Sequence, residues 1–152
     1  MALDQKAAQE KALMYQILQA QMQELTNQAS ALEMRMVELE NAENALKEVE
    51  GVKEGSEMLL PLGGGCYGYG TLNKKGRFMV EIGAGLVKEQ RLTDALDTVK
   101  GKKKDVEEVA EKLKMEMEHM RNSMDKIGLE LQEIQRAAQK EQKKDDDSIT
   151  VD

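Results

Sequence analysis

The sequence predicts an α+β chain that is mostly α: a long antiparallel coiled-coil hairpin whose two helices are joined by two short β-hairpins. Three observations carry that expectation. In residues 93 to 140 the apolar positions Leu96, Val99, Val106, Ala110, Leu113, Met117, Met120, Met124, Ile127, Leu131, Ile134 and Ala138 follow one another by threes and fours, interrupted at Lys103, where a charge takes a seam position. In residues 4 to 50, Leu18, Leu25, Leu32, Leu39 and Leu46 recur every seventh residue. A sustained 3.5-residue period is the mark of a coiled coil rather than of a globular helix. Between the two lies a stretch with most of the glycines and a period-two alternation.

The first helix is expected to start at Asp4, a good N-cap, and to end at Gly51 in a left-handed cap. Tyr15, Met22, Ala29 and Met36 complete its seam in the first half; Ala42 and Val49 take over after that on the opposite offset. Residues 56 to 90 hold the strands. Glu57 to Leu62 contains Pro61, which favours an edge position, and Cys66 to Leu72 puts Cys66, Gly68 and Gly70 on one face and Tyr67 and Tyr69 on the other. Asn73 to Gly76 is a turn. Phe78, Val80 and Ile82 then alternate with Arg77, Met79 and Glu81, Gly83 and Gly85 break the strand, and Leu86 to Gln90 forms a last one. The pattern fits two hairpins or one small meander. Thr93 and Asp94 open the second helix, in which Gly101 and Gly128 are weak points. Residues 141 to 152, with Lys143-Lys144-Asp145-Asp146-Asp147, read as a disordered tail. At 1.5 Å per residue both helices come to roughly 70 Å, and equal arms on a compact linker fold back on each other. The whole is expected to be a single domain, with both chain ends at the tip opposite the β segment.

Composition supports this reading. Charged residues make up 34% of the 152 and aromatics 3%; Trp is absent and Met occupies 11 positions, a profile of long helices with a narrow buried seam. A net charge of −7 argues against nucleic-acid binding. A single cysteine, Cys66, and the lack of a leader or of a long apolar run point to a soluble cytoplasmic protein.

No catalytic set emerges, so an enzyme is not expected. Gly63-Gly64-Gly65-Cys66-Tyr67-Gly68 matches the dinucleotide-binding spacing, yet a strand pattern follows it where a helix N-terminus is required. His119 has no second histidine to share a metal, and Cys66 has no histidine to activate it. The methionines read either as seam packing or as an adaptable apolar binding surface. Two hairpins from one chain bury little by themselves. Leu60, Tyr67, Tyr69, Phe78, Val80, Ile82 and Leu86 therefore need a cover, which assembly with other chains or an intramolecular cap would provide.

Residues Leu59-Leu60-Pro61-Leu62-Gly63, Cys66-Tyr67-Gly68-Tyr69-Gly70-Thr71-Leu72, Val80-Glu81-Ile82-Gly83-Ala84-Gly85, Val87-Lys88-Glu89 and Asp94-Ala95 resemble the alpha class of the prefoldin family, in its archaeal form. The resemblance implies two alpha and four beta subunits in a hexamer, with the hairpins forming a β-barrel platform and six coiled coils hanging from it. It implies a holdase that needs neither ATP nor another cofactor, captures unfolded client proteins, and passes them to a group II chaperonin, with no nucleic acid or membrane as partner. Client binding is expected near the helix tips, at Leu3, Leu13, Met14, Ile17 and Leu18 on one arm and Ile127, Leu131, Ile134 and Ala138 on the other. The competing expectation for each is that it merely closes the coiled coil. A structural scaffold or filament built through the same hairpins is the alternative for the whole chain.

Overall fold

The computed structural model describes residues 2–73 and 76–147. Helix α1 spans Ala2–Glu50, strands β1 Glu57–Gly63, β2 Cys66–Thr71, β3 Arg77–Gly83 and β4 Leu86–Arg91 follow, and helix α2 spans Leu92–Asp147. The architecture is the expected one, two long helices paired as a coiled-coil hairpin and two antiparallel strand pairs. β1 pairs only with β2 and β3 only with β4, so the meander alternative is excluded.

Several boundaries differ from expectation. Asp4 lies inside α1 rather than capping it, since Ala2 and Leu3 are already helical. Gly51 does not take the left-handed conformation. The helix ends instead by tightening: the Gly51 and Val52 amides donate to the Glu48 and Val49 carbonyls, each at 3.1 Å, which satisfies late carbonyls without a positive φ. α2 starts at Leu92, directly after β4, and runs on to Asp147, so much of the expected tail is helical. The stretch Lys140-Glu141-Gln142-Lys143-Lys144 holds neither Gly nor Pro and consists of good helix formers, which explains the extension. Residues 148–152, the rest of that tail, and Lys74 and Lys75 of the Asn73–Gly76 turn lie outside the described residues.

The chain divides into two compact units, Met1–Ala31 with Ala110–Asp152, and Leu32–Val109. In the first, Leu25 and Leu113 are buried, and Lys11 forms an ion pair with Glu130 on the other helix. Tyr15, Leu18, Met22 and Ala29 face Met117, Met120, Met124 and Ile127 as half-buried seam positions. This is a thin core, as a two-helix seam must be.

In the second unit the buried residues are Leu39, Glu43, Ala95 and Val99. Here the seam departs from the sequence reading. Ala42 and Val49 are only half-buried, and the charged Glu43 takes the buried place between Leu39 and Leu46. It is tolerated because it has partners: Lys103 Nζ donates to Glu43 Oε2 at 3.0 Å, and Lys47 lies 2.6 Å from Oε1. The two hairpins sit in this unit as well. The β3–β4 hairpin is tied to α2 by Thr98, whose hydroxyl donates to Gln90 at 3.0 Å, and by Lys102, which donates to the Glu81 carbonyl.

Candidate assembly and client-binding surfaces

The two hairpins share one design, offset by 20 residues, with Glu57 paired to Thr71 in the first and Arg77 to Arg91 in the second. Each closes through a two-residue loop, Gly64-Gly65 or Ala84-Gly85, and each carries a register shift just before it, at Pro61/Gly63 or Glu81/Gly83. Both loop residues have positive φ in each case: 58° and 78° in the first, 49° and 75° in the second. That is the sign pattern of a type I′ turn, whose twist matches the flanking strands. Gly63-Gly64-Gly65 thus makes a hairpin corner and not a nucleotide loop. The repeat is visible in Leu62-Gly63-Gly64-Gly65-Cys66 against Ile82-Gly83-Ala84-Gly85-Leu86 once the two stretches are aligned.

Strand pairing sorts the side chains into faces. On the first hairpin Leu59 opposes Tyr69 and Pro61 opposes Tyr67, so these four share a face, on which Tyr69 is 81% and Tyr67 64% exposed. The other face carries Met58 and Leu60 opposite Gly70 and Gly68. The glycines make room there: a Cβ on Gly70 would come within 2.9 Å of Leu60 Cδ1, and one on Gly68 within 3.5 Å of Leu62. This hairpin is therefore apolar on both faces, and both are open.

The second hairpin mixes apolar and polar residues on both faces. Phe78 and Val80, opposite Gln90 and Lys88, are half-buried. Met79 and Glu81 lie on the other face opposite Glu89 and Val87. Ile82 and Leu86 are exposed near the loop. The seven residues expected to drive assembly are thus not one patch. Leu60 and the two tyrosines lie on opposite faces, and Leu59, Leu62, Met79 and Val87 are equally exposed apolar residues that the sequence reading did not single out. The available signal was strand alternation, which Leu59 shares with Pro61 and the tyrosines through cross-strand pairing.

The expected client-binding residues also divide. Leu13 is 59% exposed, Met14 56% and Ile17 51%, and Leu13 and Ile17, one helical turn apart, lie on the outer side of α1, away from the seam. Leu18, Ile127, Leu131 and Ile134 are half-buried in the seam itself, and Ala138 is exposed but small. The side chain of Leu3 lies outside the described residues. Leu129, absent from the expected set, is 63% exposed on α2 in the same unit.

The cleft beside β4 is lined by Arg77, Lys88 and Arg91 against Glu89, Asp94 and Asp97, a balanced set with no directed charge. Among the described residues, no three His, Cys, Asp or Glu side chains converge as metal ligands, and no helix is long and apolar enough to cross a membrane. Hydrogen bonds from Lys47 and then Lys103 hold the Glu43 carboxyl down at about 2 against the opposing effect of burial. Lys11 lowers the Glu130 carboxyl, and Glu43 raises the Lys103 ammonium.

The prefoldin subunit family model matches residues 18–137, which takes in most of both helices and all four strands. The chain belongs to the prefoldin family. Its similarity to prefoldin subunit alpha of Archaeoglobus fulgidus is 31% identity over 134 residues, covering 84% of this chain and 93% of that protein. To prefoldin subunit alpha of Pyrococcus horikoshii it is 25% identical, covering 89% and 92%. Among solved structures, a cryo-EM structure of filamentous prefoldin from Methanocaldococcus jannaschii superposes with a TM-score of 0.67 at 18% identity, over 76% of this chain and 96% of that one; at this identity it speaks for the fold. Membership in the prefoldin family gives the chain a chaperone-type role and assembly with other prefoldin subunits.

Proposed function

We propose that this chain is an alpha-type subunit of an ATP-independent holdase. Two such chains would join four beta-type subunits through the hairpins, hold unfolded clients on their helices, and pass them to a group II chaperonin in the cytoplasm. The observation that carries the reading is the coexistence of two different open apolar surfaces on one chain. The first hairpin has an apolar residue on almost every position of both faces, which is what a strand pair needs when other subunits cover it. The outward Leu13, Met14 and Ile17 belong to no seam, and a surface helix of a monomer has no use for them. They are exposed apolar groups on a highly charged helix, with the flexible Met14 between two branched side chains, suited to weak contact with apolar segments. Several subunits presenting them together would bind by effective concentration rather than by one tight contact.

The deciding experiment is dilution of a chemically unfolded client into this chain, a beta-type prefoldin subunit, or both, without nucleotide. The holdase reading expects aggregation to be suppressed near stoichiometric complex and by neither chain alone. A well-formed complex that leaves aggregation unchanged would reject it. A filament or scaffold is the second reading, favoured by the fold likeness to a protein solved as a filament. It expects large species from this chain alone in light scattering, where the holdase reading expects a complex of defined size that needs the beta-type partner.

A further inference from the structure

The leucine repeat of α1 is not selective by itself. Leu25, Leu32, Leu39 and Leu46 at seven-residue spacing would serve equally well in a parallel pair with α1 of a second copy. The seam of the Leu32–Val109 unit contains one element that is selective. Glu43 occupies a seam position between Leu39 and Leu46, is 8% exposed, and meets Lys103 of α2 at 3.0 Å. Lys103 likewise replaces an apolar residue between Val99 and Val106, and its side chain is 22% exposed. Both Glu43 oxygens are engaged, one by each lysine, and among the described residues no buried side-chain polar atom is left without a partner.

We propose that Glu43 and Lys103 form an orientation lock, which admits α1 against α2 of the same chain and rejects pairing of either helix with its own copy. In a parallel pair of α1 helices Glu43 would face Glu43 between leucines, and in a parallel pair of α2 helices Lys103 would face Lys103 between valines. The first arrangement sets two carboxylates together in the seam with only Lys47 of each helix beside them, and the second sets two ammonium groups together without Glu43. Any other pairing of a helix with its own copy also separates Glu43 from Lys103 and removes the cross-helix half of the ion pair. A charge at one seam position is an established way for coiled coils to fix pairing at some expense in stability. Here the device has a clear purpose. A protein that keeps apolar surface open for partners is exposed to mispairing of its own helices, and the lock removes that competitor without covering the open surface.

The test uses the full chain with Cys66→Ser and a reporter cysteine, Leu32→Cys, at a seam position that parallel α1 pairing would bring face to face. Under mild oxidation, the disulfide-linked dimer is read on a non-reducing gel, with circular dichroism as a check of helix content. Three seams are compared: native, Glu43→Leu with Lys103→Leu, and the inverted set Glu43→Lys, Lys47→Glu, Lys103→Glu. The lock expects the all-leucine seam to stay helical and to crosslink at least tenfold more than the native seam, while the inverted seam crosslinks as little as the native one. Equal crosslinking by the native and all-leucine seams would overturn it. So would an inverted seam that crosslinks like the all-leucine one, because the opposed charges would then contribute nothing to the choice of partner.

Discussion

Replacing Leu13 and Ile17 together by glutamine separates client binding from coiled-coil closure. Leu13 is 59% and Ile17 51% exposed, so about half of each side chain is available to a client. Full burial of such a side chain stabilises by ~1.5–3 kcal/mol, so covering the open half contributes roughly half of that per residue. The pair then contributes about 1.5–3 kcal/mol per subunit, a loss of roughly 10- to 150-fold in client affinity on substitution. Two copies in one complex amplify the loss through avidity. Folding should be untouched, because neither residue lies in the seam and glutamine is a good helix former. The assay is suppression of client aggregation by the reconstituted complex, with thermal melting by circular dichroism in parallel. The expected result is weakened holding with an unchanged melting temperature. Leu113→Gln serves as the contrasting change, since Leu113 is 8% exposed in the seam and should melt the helices directly. Holding that survives the double substitution would refute the argument, and a lowered melting temperature would place Leu13 and Ile17 in the helix pairing after all.

Other outcomes follow from the same geometry. Gly101→Ala and Gly128→Ala should each stabilise by ~1 kcal/mol, because a Cβ there meets nothing within 4 Å and the helix loses its most flexible residues; thermal melting should rise by a few degrees for each. Ala84 holds a φ of 49° at a position where a type I′ turn prefers asparagine, so Ala84→Asn should slow hydrogen exchange in β3 and β4 by about 0.5–1 kcal/mol of local stability. Glu43 is depressed from its ordinary 4.5 to about 2 on folding. Its contribution is therefore complete above pH 5 and is lost as pH falls from there towards 2; Glu43→Gln should flatten the acid limb of the stability profile in that window. Tyr67→Ser with Tyr69→Ser should weaken assembly with beta-type subunits at least tenfold in sedimentation, while helix content stays constant, since both rings are exposed within the chain.

The helices were legible because a 3.5-residue repeat has one physical solution, a seam, and the repeat continued long enough to exclude a globular core. Both hairpins were legible from alternation and glycine corners, and Lys103 stood out as a charge in the seam. Its partner did not. Glu43 continues the seven-residue row of Tyr15, Met22, Ala29 and Met36, but following apolar residues alone shifts that row to Ala42 and Val49, and the pairing of α1 with α2 decides for Glu43 by setting it against Lys103. The apolar residues near the chain ends form a single group in the sequence reading, although Leu18 lies on the leucine repeat and Ile17 beside it does not. Tertiary packing follows that division, with Leu18 half-buried and Ile17 open. Alternation sorts the assembly residues into faces within each strand, but which strand faces coincide is decided by register: Leu60 opposes Gly68, and Tyr67 opposes Pro61 on the other side. Periodicity along the chain thus determined which elements form and that they pair. Which side chains are left open to other molecules depends on contacts between residues far apart in sequence, and these exist only once the helices and strands have met.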